Sequence, residues 1–580
     1  MKKISVALGL LCFAFTGWAQ QAPFEKNSTK NITATYDQIM PFFEALAKKY
    51  DQIKIFRQGL TDSGKPLHLV VLSKDKNFDA LTIQKQNRRI ILINNGIHPG
   101  EPEGIDASMM LARDLLEKKL LPDNVVICFI PVYNIGGSLN RGVSRVNQNG
   151  PDTYGFRGNA RNLDLNRDFI KTDSKNSYSF QQIFNAWKPD VLIDNHTSNG
   201  ADYQYVITLI ETQKNKLSPL LSQFMTKDFT PALYERMKAS GFEMTPYVNF
   251  NGETPDSGLY GFLETPRYST GYAALHNTLA YMTETHMWKP FPERVGATYQ
   301  FMKHVIGLTA THAEEIGKAR KLAIEKVKSQ DEFPVQWKLN TDKFDTLTFK
   351  GYEASHKPSE ISGLPRLYYD RNKPFEKLIR SYNVFEPSVV IKKPAAYVIP
   401  QAWDKVVNLL KLNGVNMSRL KRDTDLEVEM YYIEDYNSAP RPYEGHYLHS
   451  NTRVQPKRQK IRFFEGDYLV YVNQAQNRYI VETLEPQAVD SFFNWNFFDS
   501  VLGQKEYFSA YIFEDEAARM LHGNADLRKR FEEAKIQDPE IGKSASAQLN
   551  WIYKNSLYYE KTHMRYPIGR LMNEVKIELR

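Results

Sequence analysis

Between about residues 30 and 310, short apolar runs alternate with stretches in which apolar residues recur every three or four positions. The runs "LHLVVLS", "RIILINN", "VVICFIPVYN", "VLIDNH" and "LAYMTET" predict strands. "EGIDASMMLARDLLEKKL" predicts a helix with Ile105, Met109, Ala112 and Leu116 near one face. This alternation is what a mixed or parallel sheet flanked by helices requires, so the expected class is α/β. A charged, helix-favouring segment, "AEEIGKARKLAIEKVKSQDE", closes this half, and "KGYEASHKPSEISGLP" reads as irregular chain, which sets a boundary within 315 to 385. Beyond it, "AAYVIP" and "QAWDKVVNLLKLNGV" predict a strand, a helix and a glycine stop. "DLEVEMYYIEDY", "KIRFFEGDYLVYVN" and "RYIVETLEP" predict further strands, and "SAQLNWIYKNS" a helical tail. The second half is therefore expected to be β-rich with some helix.

A chain of 580 residues with 33 Tyr and 33 Phe has ample material for several buried cores and is not a disordered polymer. The first residues, "MKKISVALGLLCFAFTGWAQ", have two lysines, an apolar run and a small-residue site, the layout of a secretory signal over 1–20 with cleavage after Ala19 or Gln20. The run is shorter than the ~20 residues of a spanning helix, and Leu11 stands before Cys12 where a lipoprotein site needs a small residue, so no integral membrane association is expected. Loss of Lys2 and Lys3 takes the formal charge from +8 to +6 without any long basic run, which argues against nucleic acid as a partner. The one remaining cysteine, Cys128, lies inside an apolar run and reads as a core residue of a protein without disulfides.

The chemistry begins at "GIHPGEPEG", where His98 and Glu101 stand three apart at the end of an apolar run. A hydrolytic zinc site needs three protein ligands and an open position, and a strand followed by a helix can deliver two ligands from one turn. The spacing alone decides little, because His312 and Glu315 match it equally well within a charged helical stretch. Taken alone, the pair at 98 and 101 reads as a turn with an acidic helix start. Three segments further along the chain change that balance: "FRGNARNLDLNRDF", then a strand ending "VLIDNHTSNG" with His196, then a strand ending "YMTETH" with Glu284.

With these four motifs in this order, residues 30 to 310 resemble the zinc carboxypeptidases of the M14 (carboxypeptidase A-like) family, and more narrowly its exported bacterial members with an extra C-terminal region. The resemblance implies a mixed, mostly parallel sheet and one Zn2+ held by His98, Glu101 and His196. It implies that Glu284 is the general base for the zinc-activated water, that Asn166 and Arg167 hold the substrate's terminal carboxylate, and that Asp164 orients a ligating histidine. The oxyanion would be stabilised by Arg157, with Arg161 as the alternative, and the tyrosine closing over the substrate would be Tyr268, with Tyr272 as the alternative. Two departures stand out. Gly100 occupies a place where the family often has a basic residue, and the side-chain pocket does not align, so Asp256 and Glu264 read either as selectors of a basic side chain or as solvated loop charges.

The implied organisation is a signal peptide over 1–20, a catalytic domain over 21–315, a connecting segment over 316–385 and an accessory domain over 386–580. The implied activity is that of an exported metallocarboxypeptidase, periplasmic or secreted, acting on peptide or protein C-termini. Rival readings are an amidase of γ-D-Glu or diaminopimelate bonds in cell-wall peptides, a metal-assisted deacylase, and a zinc-bearing peptide- or glycan-binding protein without turnover. In the second half, "HYLH" at 446–449 has no evident third ligand, and the aromatic run "FFNWNFFDS" at 492–500 reads as a core cluster or a docking surface between domains.

Overall fold

The computed structural model describes residues 20–580. The signal-like layout, with Lys2, Lys3 and Cys12, therefore lies outside the described residues except for Gln20.

Eight strands build the central sheet: β1 (Ile53–Leu60), β2 (Pro66–Leu72), β3 (Arg89–Asn94), β4 (Val125–Ile130), β5 (Val191–Ser198), β6 (Ile207–Glu211), β7 (Met244–Pro246) and β8 (Leu279–His286). Their spatial order is β1-β2-β4-β3-β5-β8-β6-β7. The pairs β3/β4, β3/β5, β5/β8 and β6/β7 are parallel, and β1/β2, β2/β4 and β6/β8 are antiparallel. β3 and β4 are buried at every position, as near-continuous Val/Ile/Leu runs are when helices cover both faces. Alternate residues serve opposite layers: Ile91 and Ile93 pack under α1 (Tyr36–Lys49), α2 (Glu103–Glu117) and α5 (Phe291–Thr311), whereas Ile90 and Leu92 face α3 (Lys175–Trp187) and α4 (Ser269–Leu275). Cys128 is a free, fully buried core residue on β4. Ile105, Met109, Ala112 and Leu116 are all buried along α2, as the periodicity predicts.

The second layer does not end with the first half. Phe169, Tyr272 and Trp187 share one apolar cluster with Val470, Tyr479, Phe492, Phe493, Trp495 and Phe498, so the aromatic run at 492–500 is the core that joins the two halves. A six-stranded sheet behind it includes Ala396–Ile399, Thr424–Ser438, His449–Phe463, Tyr468–Tyr471 and Gly569–Leu571.

Two local expectations differ from the structure. "KGYEASHKPSEISGLP" is not irregular: it runs along the strand Asp345–Pro358 and turns into Pro365–Tyr382, paired from Asp345↔Ser381 to Pro358↔Pro365. The outer part of this hairpin is exposed on both faces, so no apolar alternation marks it in the sequence. "RYIVETLEP" is not a strand but holds most of the helix Asn477–Leu484, whose residues are all buried, and burial on every side erases the periodicity that would distinguish helix from strand. Among the described residues no helix is long and apolar enough to cross a membrane.

Candidate active site

The chain goes from β3 to β4 on one side and later to β5 on the other, which leaves a crevice at the carboxyl ends of β3 and β5, the position where open α/β sheets bind ligands. The loop leaving β3 turns at Gly96, with φ of +62°, and closes when the Glu101 N–H donates to the His98 carbonyl at 2.8 Å. His98 and Glu101 are thereby brought together before α2 begins at Glu103. His196 arrives on β5 and lies in register with Glu284 on β8, so both side chains rise from the same face of the sheet.

His98, Glu101 and His196 are buried, and each offers one donor atom within 4.8 Å of the others. The Glu101 carboxylate lies between the rings, with Oε1 3.2 Å from His98 Nδ1 and Oε2 3.1 Å from His196 Nδ1. Both imidazoles thus turn Nδ1 toward a common point, and His98 Nδ1 is buried without a hydrogen-bond partner. Two imidazole nitrogens and a carboxylate at the buried end of a cleft, one of them unsatisfied, are a donor set suited to Zn2+. The opposite ring nitrogens face carboxylates: His98 Nε2 is 2.9 Å from Asp164 Oδ1, and His196 Nε2 is 3.0 Å from Asp194 Oδ2. Such carboxylates fix the tautomer that leaves Nδ1 free as a ligand. Burial alone would raise the Glu101 carboxyl, but the His98 and Arg145 charges outweigh it and hold the group well below the usual carboxylate range.

The cleft beside these residues is lined by Arg145, Arg157, Asn166, Arg167, Tyr247, Phe262, Glu264, Tyr268 and Glu284, among others. Arg157 reaches Asp164 Oδ2 at 2.8 Å and Glu101 Oε1 at 3.4 Å. Arg161 turns the other way, toward the Asp173 carbonyl. Tyr268 lies under the Arg167 guanidinium, whose carbon is 4.5 Å from the ring centroid, while Tyr272 is fully buried and donates to Asn413 Oδ1 at 2.6 Å. Burial pushes the Glu284 carboxyl up to about 8, with Glu101 and Glu264 adding to the rise against His196 and Arg157. A dication held by the neighbouring donors would pull it back toward the ionised form. Glu264 is buried in the cleft wall, where desolvation raises it to about 7, and Asp256 pairs with Lys377 at 3.3 Å away from the cleft.

Sequence reasoning missed Asp194, Arg145 and Tyr247. Asp194 carried a signal, since a carboxylate two residues before His196 on one strand must share its face. Arg145 carried none. It comes from a distant loop, places Nη2 2.9 Å from Glu101 Oε1 and donates from Nη1 to the Gly100 carbonyl at 3.1 Å. A Cβ at position 100 would lie 3.0 Å from the Gly155 carbonyl and 3.1 Å from Arg145 Cδ, so the absence of a side chain there leaves room for this guanidinium. The "HYLH" histidines make separate pairs, His446 with Asp173 and His449 with Asp499. His312 packs on Phe224, and with Glu315 it belongs to no cluster of three donors among the described residues.

Residues 39–211 match the zinc carboxypeptidase family, Peptidase M14. Carboxypeptidase 2 of Trichophyton rubrum is 23% identical over 480 residues, covering 79% of this chain and 83% of the relative. Carboxypeptidase 2 of Trichophyton tonsurans is 22% identical over 452 residues, covering 74% and 78%. Among solved structures, the metallo-carboxypeptidase from Burkholderia cenocepacia is 15% identical, with a TM-score of 0.36 over 48% of this chain and 70% of its own. Carboxypeptidase A from Helicoverpa armigera is 13% identical, with a TM-score of 0.36 over 49% and 75%.

Proposed function

Because this chain carries a zinc carboxypeptidase domain of the M14 family, we propose that it is an exported enzyme that removes residues from the C-termini of peptides. His98, Glu101 and His196 hold the metal in this reading. Zinc, when bound, supplies Lewis acidity and makes water a nucleophile near neutral pH. Glu284 takes the proton from the attacking water and passes it to the amine nitrogen as the C–N bond breaks. Arg157, anchored on Asp164, faces the carbonyl oxygen as negative charge develops there. Arg167 and Asn166 bind the terminal carboxylate, and Tyr268 closes on it from its place against Arg167.

The observation that carries this reading is the convergence of three buried donors, a carboxylate of raised pKa and an arginine fork on one cleft. The arginine confers the chain-end preference, because a guanidinium pairs bidentately with a free carboxylate and has no such partner in an amide. The layout of residues 1–20 supports export to the periplasm or beyond. Catalysis belongs to residues 21–315, and residues 386–580 form an accessory domain reached through the 316–385 segment.

The test is metal content together with end preference. Purified protein should carry about one zinc per chain, lost in His196→Ala, and should cleave peptides with free C-termini while sparing their C-terminal amides. Wild-type protein that fails to hold zinc when supplied with it, or that cleaves amides equally well, would refute the reading.

A further inference from the structure

The "DLNR" segment touches the far half of the chain. The hairpin formed by Thr424–Ser438 and His449–Phe463 has a loop whose tip, residues 443–446, is closed by reciprocal backbone hydrogen bonds between Tyr443 and His446. This tip lies against Asp164 and Arg167. The Glu444 carboxylate accepts from the Asp164 N–H at 2.7 Å, and the Tyr443 hydroxyl accepts from Arg167 Nε at 2.9 Å. The tip itself is held firmly. The Tyr443 ring stacks on Trp495, a fully buried residue, with centroids 6.2 Å apart, and His446 is 2.7 Å from Asp173. Arg267, fixed by Asp490 at 2.7 Å, places its guanidinium carbon 5.0 Å from the Trp495 ring centroid.

The effect is on the Arg167 guanidinium. Its Nε is taken by Tyr443, its Nη1 donates to the Asn166 carbonyl at 2.8 Å, and the Tyr268 ring covers one face. Nη2 has no partner among the described residues, and Arg167 lines the cleft. An unrestrained arginine would have to be ordered by the ligand. One held at Nε and Nη1 is already oriented when a carboxylate arrives.

Resting on the reading of Arg167 as the carboxylate-binding residue, we infer that Tyr443 is a positioning residue for substrate: its hydroxyl, delivered by the C-terminal half, holds the Arg167 guanidinium in place for the terminal carboxylate of the peptide. Through Tyr443 the C-terminal half thereby contributes to substrate binding.

The experiment is a double-mutant cycle in the full chain on a peptide with a free C-terminus. Tyr443→Phe keeps the ring on Trp495 and removes only the oxygen. It should leave zinc content unchanged and lower kcat/KM about tenfold, the effect of one hydrogen bond to a charged group, mostly through a raised KM. In an Arg167→Ala background the same change should have no further effect. Two results would overturn the inference: a Tyr443→Phe enzyme within twofold of wild type while Arg167→Ala is impaired, or an equal loss from Tyr443→Phe with and without Arg167. An Arg167→Ala enzyme that binds and cleaves like wild type would overturn the reading of the cleft as well.

Discussion

Asp194→Asn isolates the support of a proposed ligand from the ligand itself. Asp194 is completely buried, with Oδ2 3.0 Å from His196 Nε2 and Oδ1 accepting from Asn94 Nδ2 at 3.1 Å. Asparagine has the same shape but only one acceptor oxygen. Turned toward His196, that oxygen leaves the new amide nitrogen facing the Asn94 nitrogen, donor against donor. Turned toward Asn94, it presents a donor to His196 Nε2 and favours the tautomer whose proton sits on Nδ1, the atom needed for the metal. Asn94 can relieve the first arrangement by flipping, because its own Oδ1 has no hydrogen-bond partner. What cannot be recovered is the negative charge behind the imidazole. Carboxylates in this relation to a ligating histidine contribute about 10- to 100-fold in metal affinity, or about 1.4 to 2.7 kcal/mol. The assay is competition for zinc against a chromophoric chelator, with the metal-free variants checked by circular dichroism. His196→Ala should lose zinc altogether, and Asp194→Asn should lie between it and wild type and regain most activity when zinc is in excess. Zinc affinity within twofold of wild type in folded Asp194→Asn would refute the reasoning.

Glu284→Gln should retain one zinc per chain and lose at least about 100-fold in kcat, read by metal analysis beside steady-state kinetics. Arg157→Ala should lose about 100- to 1,000-fold in kcat, whereas Arg161→Ala, pointed at the Asp173 carbonyl, should stay within about twofold. Burial holds the Asp106 carboxyl up at about 7, against Thr33, which donates to it at 2.6 Å. Between its ordinary value near 4 and pH 7 the folded chain keeps a proton that the unfolded chain has released, so this group lowers stability as pH rises through that window, by about 4 kcal/mol at most. Denaturant titrations at pH 5 and pH 8 should show Asp106→Asn gaining stability relative to wild type at the higher pH, and an unchanged difference would refute the assignment.

Much of the central sheet was legible because β3, β4, β5 and β8 are apolar runs bounded by polar loops, and their order on the chain already separates the His98/Glu101 pair, His196 and Glu284 by whole elements. The choice between Arg157 and Arg161 was not legible, since both stand within a few residues of the "DLNR" segment and only the turn between them decides which faces the cleft. Tyr268 and Tyr272 posed the same problem one helical turn apart, and packing against Asn413, a residue of the other half, is what removes Tyr272 from the surface. Arg145 and Tyr443 were beyond reach for a different reason. Their partners lie 44 and 276 positions away, and no local pattern encodes a contact of that range.

That last separation has a consequence for the life of the molecule. In a chain made from its N-terminus, the proposed metal ligands and Glu284 are complete well before residue 443 exists, and Arg167 waits for a hydroxyl 276 positions downstream. The layer that includes Phe169, Tyr272 and Trp187 waits likewise for Phe492 and Trp495. A chain assembled in this order acquires the brace on Arg167 only after a long-range closure between its two halves. The unfinished chain thus carries the groups proposed for the chemistry before the residue that steadies Arg167.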